Sequence, residues 1–180
     1  QGGVTKQESS VKQSAGSADA GKIPSLGDDG RLDETFLPIG IGAQTSLLPA
    51  SEELNAGNLV NLFPGGGVAK VRKADNSNNR PADGFVVDAV SSTATATVYP
   101  LENVNSGLTG LTPGATYWLG TAGAVIAVPL DESDVANDGK VSQQIGKALS
   151  ATEVRTDDSG FVILSGRGMA GRRPLAIMCG

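Results

Sequence analysis

The sequence predicts a mainly β protein: a small antiparallel β-barrel or sandwich over residues 58–164, preceded by an extended N-terminal arm and a stalk or collar. Three observations predict it. Short runs of β-formers recur between clusters of Gly, Pro, Asn and Asp, the spacing of a small all-β unit. In Val68-Ala-Lys-Val-Arg-Lys73 apolar and cationic residues alternate, so one face is buried and the other is wet. Hydrophobic residues make up 39% of the chain but aromatics only 4%, with 25 glycines, so burial falls to Val, Leu, Ile and Ala, or to association between chains. A length of 180 residues fits one domain with extensions, or two small ones.

Residues 1–20 are rich in Ser, Gln, Gly, Ala and Lys. Such a segment cannot offset the entropy of ordering itself, so it is either a flexible arm or a peptide that orders only on a binding surface. Residues 21–57 read differently. Ile23, Leu26, Leu32, Phe36, Leu37, Ile39 and Ile41 follow neither a helical nor a two-residue period and are interrupted by Pro24 and Pro38. Asp28-Asp29-Gly30 reads as a turn, and Asp33 is placed to cap a short helical turn through Leu37. Three copies wound about an axis would bury these apolar groups. Ile23, Leu26, Leu32, Phe36 and Leu37 are therefore expected to form an intersubunit stalk; the alternative is a loop packed over its own domain. Leu47 to Glu53 reads as a link or brief helical turn, with the β-domain starting near Asn58.

Within that domain Leu59–Phe63 is a strand, Gly65–Gly67 a turn, and Val68–Lys73 the alternating strand. Asp75–Gly84 is the most turn-rich loop, followed by strands over Phe85–Val90 and Thr93–Tyr99. Thr112-Pro113-Gly114 is a tight turn leading into Ala115–Leu119, and Gly123 separates this from Ala124–Val128. Tyr117 and Trp118 are adjacent on a strand and so point to opposite faces, one to the core and the other to an interface. Glu153 to Leu164 reads as strand, Asp-Asp-Ser-Gly turn and strand, a closing hairpin. Residues 165–180 place Arg167, Arg172 and Arg173 among Gly and Ala without an acid, then Leu175, Ile177 and Met178. That is either a frayed basic tail or an anchoring peptide whose arginines pair acids on a neighbouring subunit while its apolar residues fill a groove.

The same sequence offers little for catalysis. It has no histidine, which removes the commonest general base and transition-metal ligand, and Cys179 is its one cysteine, so no intrachain disulfide forms. A net charge of −5 argues against general nucleic-acid binding, and no apolar run approaches a membrane span or signal peptide. Asp28, Asp29, Asp33 and Glu34 miss the calcium-loop spacing. Asp131, Glu132 and Asp134 lack the cleft and sugar-stacking aromatics of a glycosidase. Gly65-Gly-Gly67 lacks the Lys-Ser/Thr of a phosphate loop, and Lys70, Arg72 and Lys73 read as a solvated face or a contact with an acidic neighbour. No catalytic residue, cofactor or metal ligand is expected.

Two stretches carry a resemblance. Gly107-Leu-Thr-Gly-Leu-Thr-Pro-Gly-Ala-Thr-Tyr-Trp-Leu-Gly120 precedes Gly139-Lys-Val-Ser-Gln-Gln-Ile-Gly-Lys-Ala-Leu-Ser-Ala-Thr152. The order resembles a small β-domain of bacteriophage virion fibre and decoration proteins, with Trp118 in place of a second aromatic and Gln143 or Gln144 at the glutamine of the pattern. Upstream, Lys22-Ile-Pro-Ser-Leu-Gly-Asp-Asp-Gly-Arg-Leu-Asp-Glu-Thr-Phe-Leu-Pro38 is similar to the segment preceding such domains in phage fibres. The resemblance implies a non-enzymatic virion protein, a homotrimeric head fibre or capsid decoration protein whose partners are its own copies and the major capsid protein or another virion protein. The alternative it implies is a tail-fibre or tail-associated protein binding the host surface, with Asp75–Gly84 recognising a surface glycan.

Overall fold

Local turn chemistry and strand alternation build two units, Gln1–Gln44 and Thr45–Gly180, in a computed structural model that describes residues 10–37 and 44–165. In the first unit β1 (Ser10–Val11) pairs in parallel with β2 (Ile23–Pro24), and short 3-10 turns cover Gly16–Asp19 and Glu34–Phe36. None of its described residues is buried. Polar contacts tie it instead. Lys12 pairs with Asp28, Gln13 Nε2 donates to Asp33 Oδ2 at 3.1 Å, and the Ser14 N–H donates to Thr35 Oγ1 at 2.8 Å. Residues 10–20, read as arm, are thus bound to the collar segment that follows them. Asp33 caps its turn as expected, accepting from both the N–H and the hydroxyl of Thr35.

These ties respond to acid. The Lys22 ammonium, then the Ala15 N–H, hold Asp19 below the ordinary carboxylate value; the Thr35 hydroxyl and N–H, then Gln13, do the same for Asp33. A depressed carboxyl contributes stability that is complete above its unfolded pKa of about 3.9 and is lost as pH falls through the lower folded value. Hydrogen-exchange protection of the Ala15 and Thr35 amides is therefore expected to fall below about pH 4, while the strand amides of the second unit keep theirs. Equal protection of both amides at neutral and acid pH would remove the carboxylates as the tie.

The second unit holds two five-stranded sheets. One has β3 (Ser46–Pro49), β4 (Leu59–Gly65), β5 (Val68–Lys73), β6 (Gly84–Phe85) and β7 (Thr95–Pro100) in the order β3-β7-β6-β4-β5. The other has β8 (Val104–Asn105), β9 (Thr116–Leu119), β10 (Val125–Ile126), β12 (Gln144–Ala148) and β13 (Val154–Thr156), in the order β10-β9-β12-β13-β8. A two-stranded ribbon joins β11 (Val141–Ser142) to β14 (Val162–Ile163). All these ladders are antiparallel. A lone bridge, Ala50 opposite Val71, brings the far edges of the first sheet together, but no ladder continues it, so the sheet is not a closed barrel and the unit is sandwich-like.

Successive residues of the first sheet feed two cores, because strand neighbours point to opposite faces. Leu59 and Phe85 pack with Tyr117, Leu119, Ile145 and Val154 of the second sheet. Val60 and Val86 pack on the other side with Ala50, Leu54, Val71, Ala96 and Val98.

Two sequence expectations change. The unit starts at Thr45, upstream of Asn58: β3 pairs with β7 along Ser46–Pro49, Leu54 is fully buried, and Glu52 Oε1 accepts the Lys73 N–H at 2.8 Å. The Pro and acidic residues that suggested a link thus belong to the sheet edge and its bonds, with Pro49 in β3 and Glu52 tied to β5. The expected closing hairpin does not form either. β13 pairs with β12 and β8, whereas β14 pairs with β11. The Asp157 N–H is taken by the Ile145 carbonyl at 2.8 Å, and Gly160, at φ +72°, turns the chain away to the other ribbon.

Candidate functional site

The motif-bearing stretches are the natural place to look for a site, and nearly every residue in them is engaged in holding the fold. At the Thr112-Pro113-Gly114 turn, Gly114 takes φ +81° and donates its N–H to the Ala148 carbonyl at 2.8 Å. The Tyr117 hydroxyl accepts the Thr112 N–H at 2.9 Å while its ring lies in the core; Trp118 faces the other way, half-buried, opposite Ile126 and Gln144. Of the two candidate glutamines, Gln143 is the structural one. Its Oε1 accepts the Ala82 N–H at 2.7 Å and its Nε2 donates to the Ala82 carbonyl at 2.9 Å, an amide clamp between distant loops. Gln144 is exposed. Gly146 sits at φ +150° where the β12–β9 register shifts, and a Cβ there would lie 2.0 Å from the Arg155 carbonyl oxygen.

Buried polar groups elsewhere are engaged in the same way. Asn105 Nδ2 donates to the Gly57 carbonyl and Asn76 Nδ2 to that of Leu119, each at 2.9 Å. Among the described residues every buried side-chain nitrogen or oxygen has a partner.

The turn-rich loop Asp75–Gly84 is fastened down. Asp75 accepts from the Ser77 N–H and hydroxyl on one oxygen and from the Ala122 N–H on the other. Burial pushes its carboxyl up, but the Ser77 hydroxyl, the Ala122 and Ser77 N–H groups and Asn78 together hold it below the ordinary value. Only Ser77, Asn78, Asn79 and Asp83 of the loop are exposed.

The acidic clusters do turn chemistry. Asp131 accepts from the Ser133 N–H and hydroxyl, and Asp134 caps the 3-10 turn Val135–Asn137 through the Ala136 N–H at 2.9 Å. Asp29 accepts the Arg31 N–H at 3.0 Å. Among the described residues no three His, Cys, Asp or Glu side chains converge as a metal site, and no helix is long and apolar enough to cross a membrane. The cationic stripe is more packed than its alternation suggested: Arg72 lies 4.5 Å over the Phe63 ring and donates to Asn61 Oδ1 at 2.9 Å.

The expected stalk residues remain open. Ile23, Leu26, Leu32 and Leu37 are 55, 57, 45 and 40% exposed, and Phe36 is half-buried. Arg167, Arg172, Arg173, Leu175, Ile177 and Met178 lie outside the described residues, as do residues 1–9, Ile39 and Ile41. Sequence reasoning missed the exposed run Phe161-Val162-Ile163, which it assigned to a hairpin, and the exposed Leu47 on β3.

No protein-family model and no curated protein matches the chain. A solved structure similar to it is the N base of the head fibre protein gp8.5 of bacteriophage phi29. That similarity is at 15% sequence identity and a TM-score of 0.42, covering 64% of this chain and 95% of that one.

Proposed function

We propose that this chain is a structural protein of a bacteriophage virion, a head fibre or capsid decoration protein that works as a homotrimer and carries out no catalysis. The class rests on the motif resemblance, in which Tyr117, Gln143 and Gly146 serve the fold. The assembly rests on one observation: among the described residues of 10–37 none is buried, yet Ile23, Leu26, Leu32 and Leu37 are presented to solvent. Exposed apolar groups gathered on a segment without a core of its own gain cover by association. Around a threefold axis each copy supplies the surface the next one needs.

In this reading the N-terminal residues grip the major capsid protein or another shell protein. Three arms engaged together turn modest single contacts into lasting attachment.

Two measurements test the proposal. Sedimentation should give about three times the 18.1 kDa chain mass, and Leu26→Asp with Leu32→Asp should return it to one. A wild-type chain that sediments as a monomer would defeat the trimer. Removal of residues 1–9, which spares β1, should abolish binding to bare capsids without changing that mass. Full binding by the shortened chain would defeat the arm.

A further inference from the structure

One cleft in the second unit, of about 350 Å³, is lined by Asp83, Glu102 and Asp158 together with Pro100, Leu101 and Phe161, and among the described residues by no lysine or arginine. Asp83 is committed, accepting from the Leu62 N–H at 2.7 Å and from Asn61. Glu102 and Asp158 have neither a hydrogen bond nor an ion pair among the described residues. Carboxylates that line one cleft without a cationic partner attract a positive charge. Next to the acids, Phe161, Val162 and Ile163 run exposed along the ribbon edge. The cleft thus asks for an occupant that is cationic and apolar at once.

The chain carries such a segment close by. Residues 166–180 include Arg167, Arg172 and Arg173, then Leu175, Ile177 and Met178, and contain no acid. The segment begins just beyond Ser165, which follows β14 and the buried Leu164. At roughly 3.3–3.6 Å per extended residue, the stretch from Phe161 to Arg172 is long enough to double back over the cleft. We propose that residues 166–180 dock onto their own unit, with Arg172 and Arg173 on Glu102 and Asp158 and with Leu175 and Ile177 against Phe161 and Val162. Exposed ion pairs alone are weak, so the apolar ledge is a necessary part of the site. Guanidinium forks match carboxylates in paired geometry, which suits arginine rather than lysine here. This docking does not depend on the virion role proposed above.

Cys179 is the one cysteine of the chain, so a nitroxide can be attached to it in the full-length protein without mutation. The amide signals of Glu102, Gly160 and Phe161 are expected to lose intensity by paramagnetic broadening. The loss should vanish in the Glu102→Gln, Asp158→Asn double variant, whose Tyr117 and Ile145 shifts report an intact fold. Undiminished signals in the labelled wild type would overturn the proposal, as would broadening that survives in the double variant. A co-refolded mixture of isotope-labelled chains and nitroxide-labelled chains settles the connectivity. Broadening of the isotope-labelled chains in that mixture as strong as in the uniformly labelled protein would overturn docking within one chain.

Discussion

Replacing Gly146 with alanine is expected to cost about 4 kcal/mol of stability, the largest effect of a Cβ added at any described glycine. The position combines two obstacles. Its φ of +150° is one that L side chains rarely adopt, and the new Cβ would meet the Arg155 carbonyl oxygen at 2.0 Å. That oxygen belongs to β13, paired to β12 at Lys147 opposite Arg155, so relief requires parting the ladder. At roughly 2–4 °C per kcal/mol for a chain of this size, thermal denaturation followed by circular dichroism should register a loss near 10 °C. Gly66→Ala is the control: φ is +69° but nothing lies within 4 Å, so only the left-handed backbone costs, about 1 kcal/mol. Equal melting temperatures for the two variants would show that β12 can shed its bulge.

Gln143→Ala is the second large effect. Gln143 is 3% exposed, and its side chain is the partner of both the N–H and the carbonyl of Ala82, itself buried. Truncation strands two buried backbone groups at about 1–3 kcal/mol each, for a combined loss near 3 kcal/mol. Gln144→Ala removes the same atoms from an exposed position and should fall within about 0.5 kcal/mol of wild type. Chemical denaturation of the pair reads the contrast directly. A neutral Gln143 variant would mean that water replaces the amide.

The same two residues illustrate what the sequence makes legible. Alternation correctly puts Tyr117 and Trp118 on opposite faces without saying which one enters the core, and the recurrence of short β-runs is enough for the fold class. Alternation could not choose between Gln143 and Gln144, because the register shift between Gln144 and Gly146 puts Ile145 and Gly146 both inside. β3 was hidden for a related reason. Pro49 and Ser51-Glu-Glu look like a linker, and only pairing with β7, about fifty residues on, makes a strand of Ser46–Pro49. The Asp157–Gly160 turn was visible, but a turn signal does not say which strands it joins, and here its flanks go to different partners. The irregular apolar spacing at Ile23–Leu37 was legible as a segment without its own core, and none of its described residues is buried. The acidic cleft was not, because Asp83, Glu102 and Asp158 are far apart in sequence and meet only after both sheets form.

The division of labour along β4 and β6 also bears on how the second unit comes apart. Leu59 and Phe85 serve one core, while Val60 and Val86, their immediate neighbours, serve the other. The strands between them act as a party wall, with no insulating layer that would let one room be emptied while the other stays furnished. Loosening either side moves the backbone that fixes side chains on the far side. The two clusters, sharing one backbone, are thereby expected to melt as one.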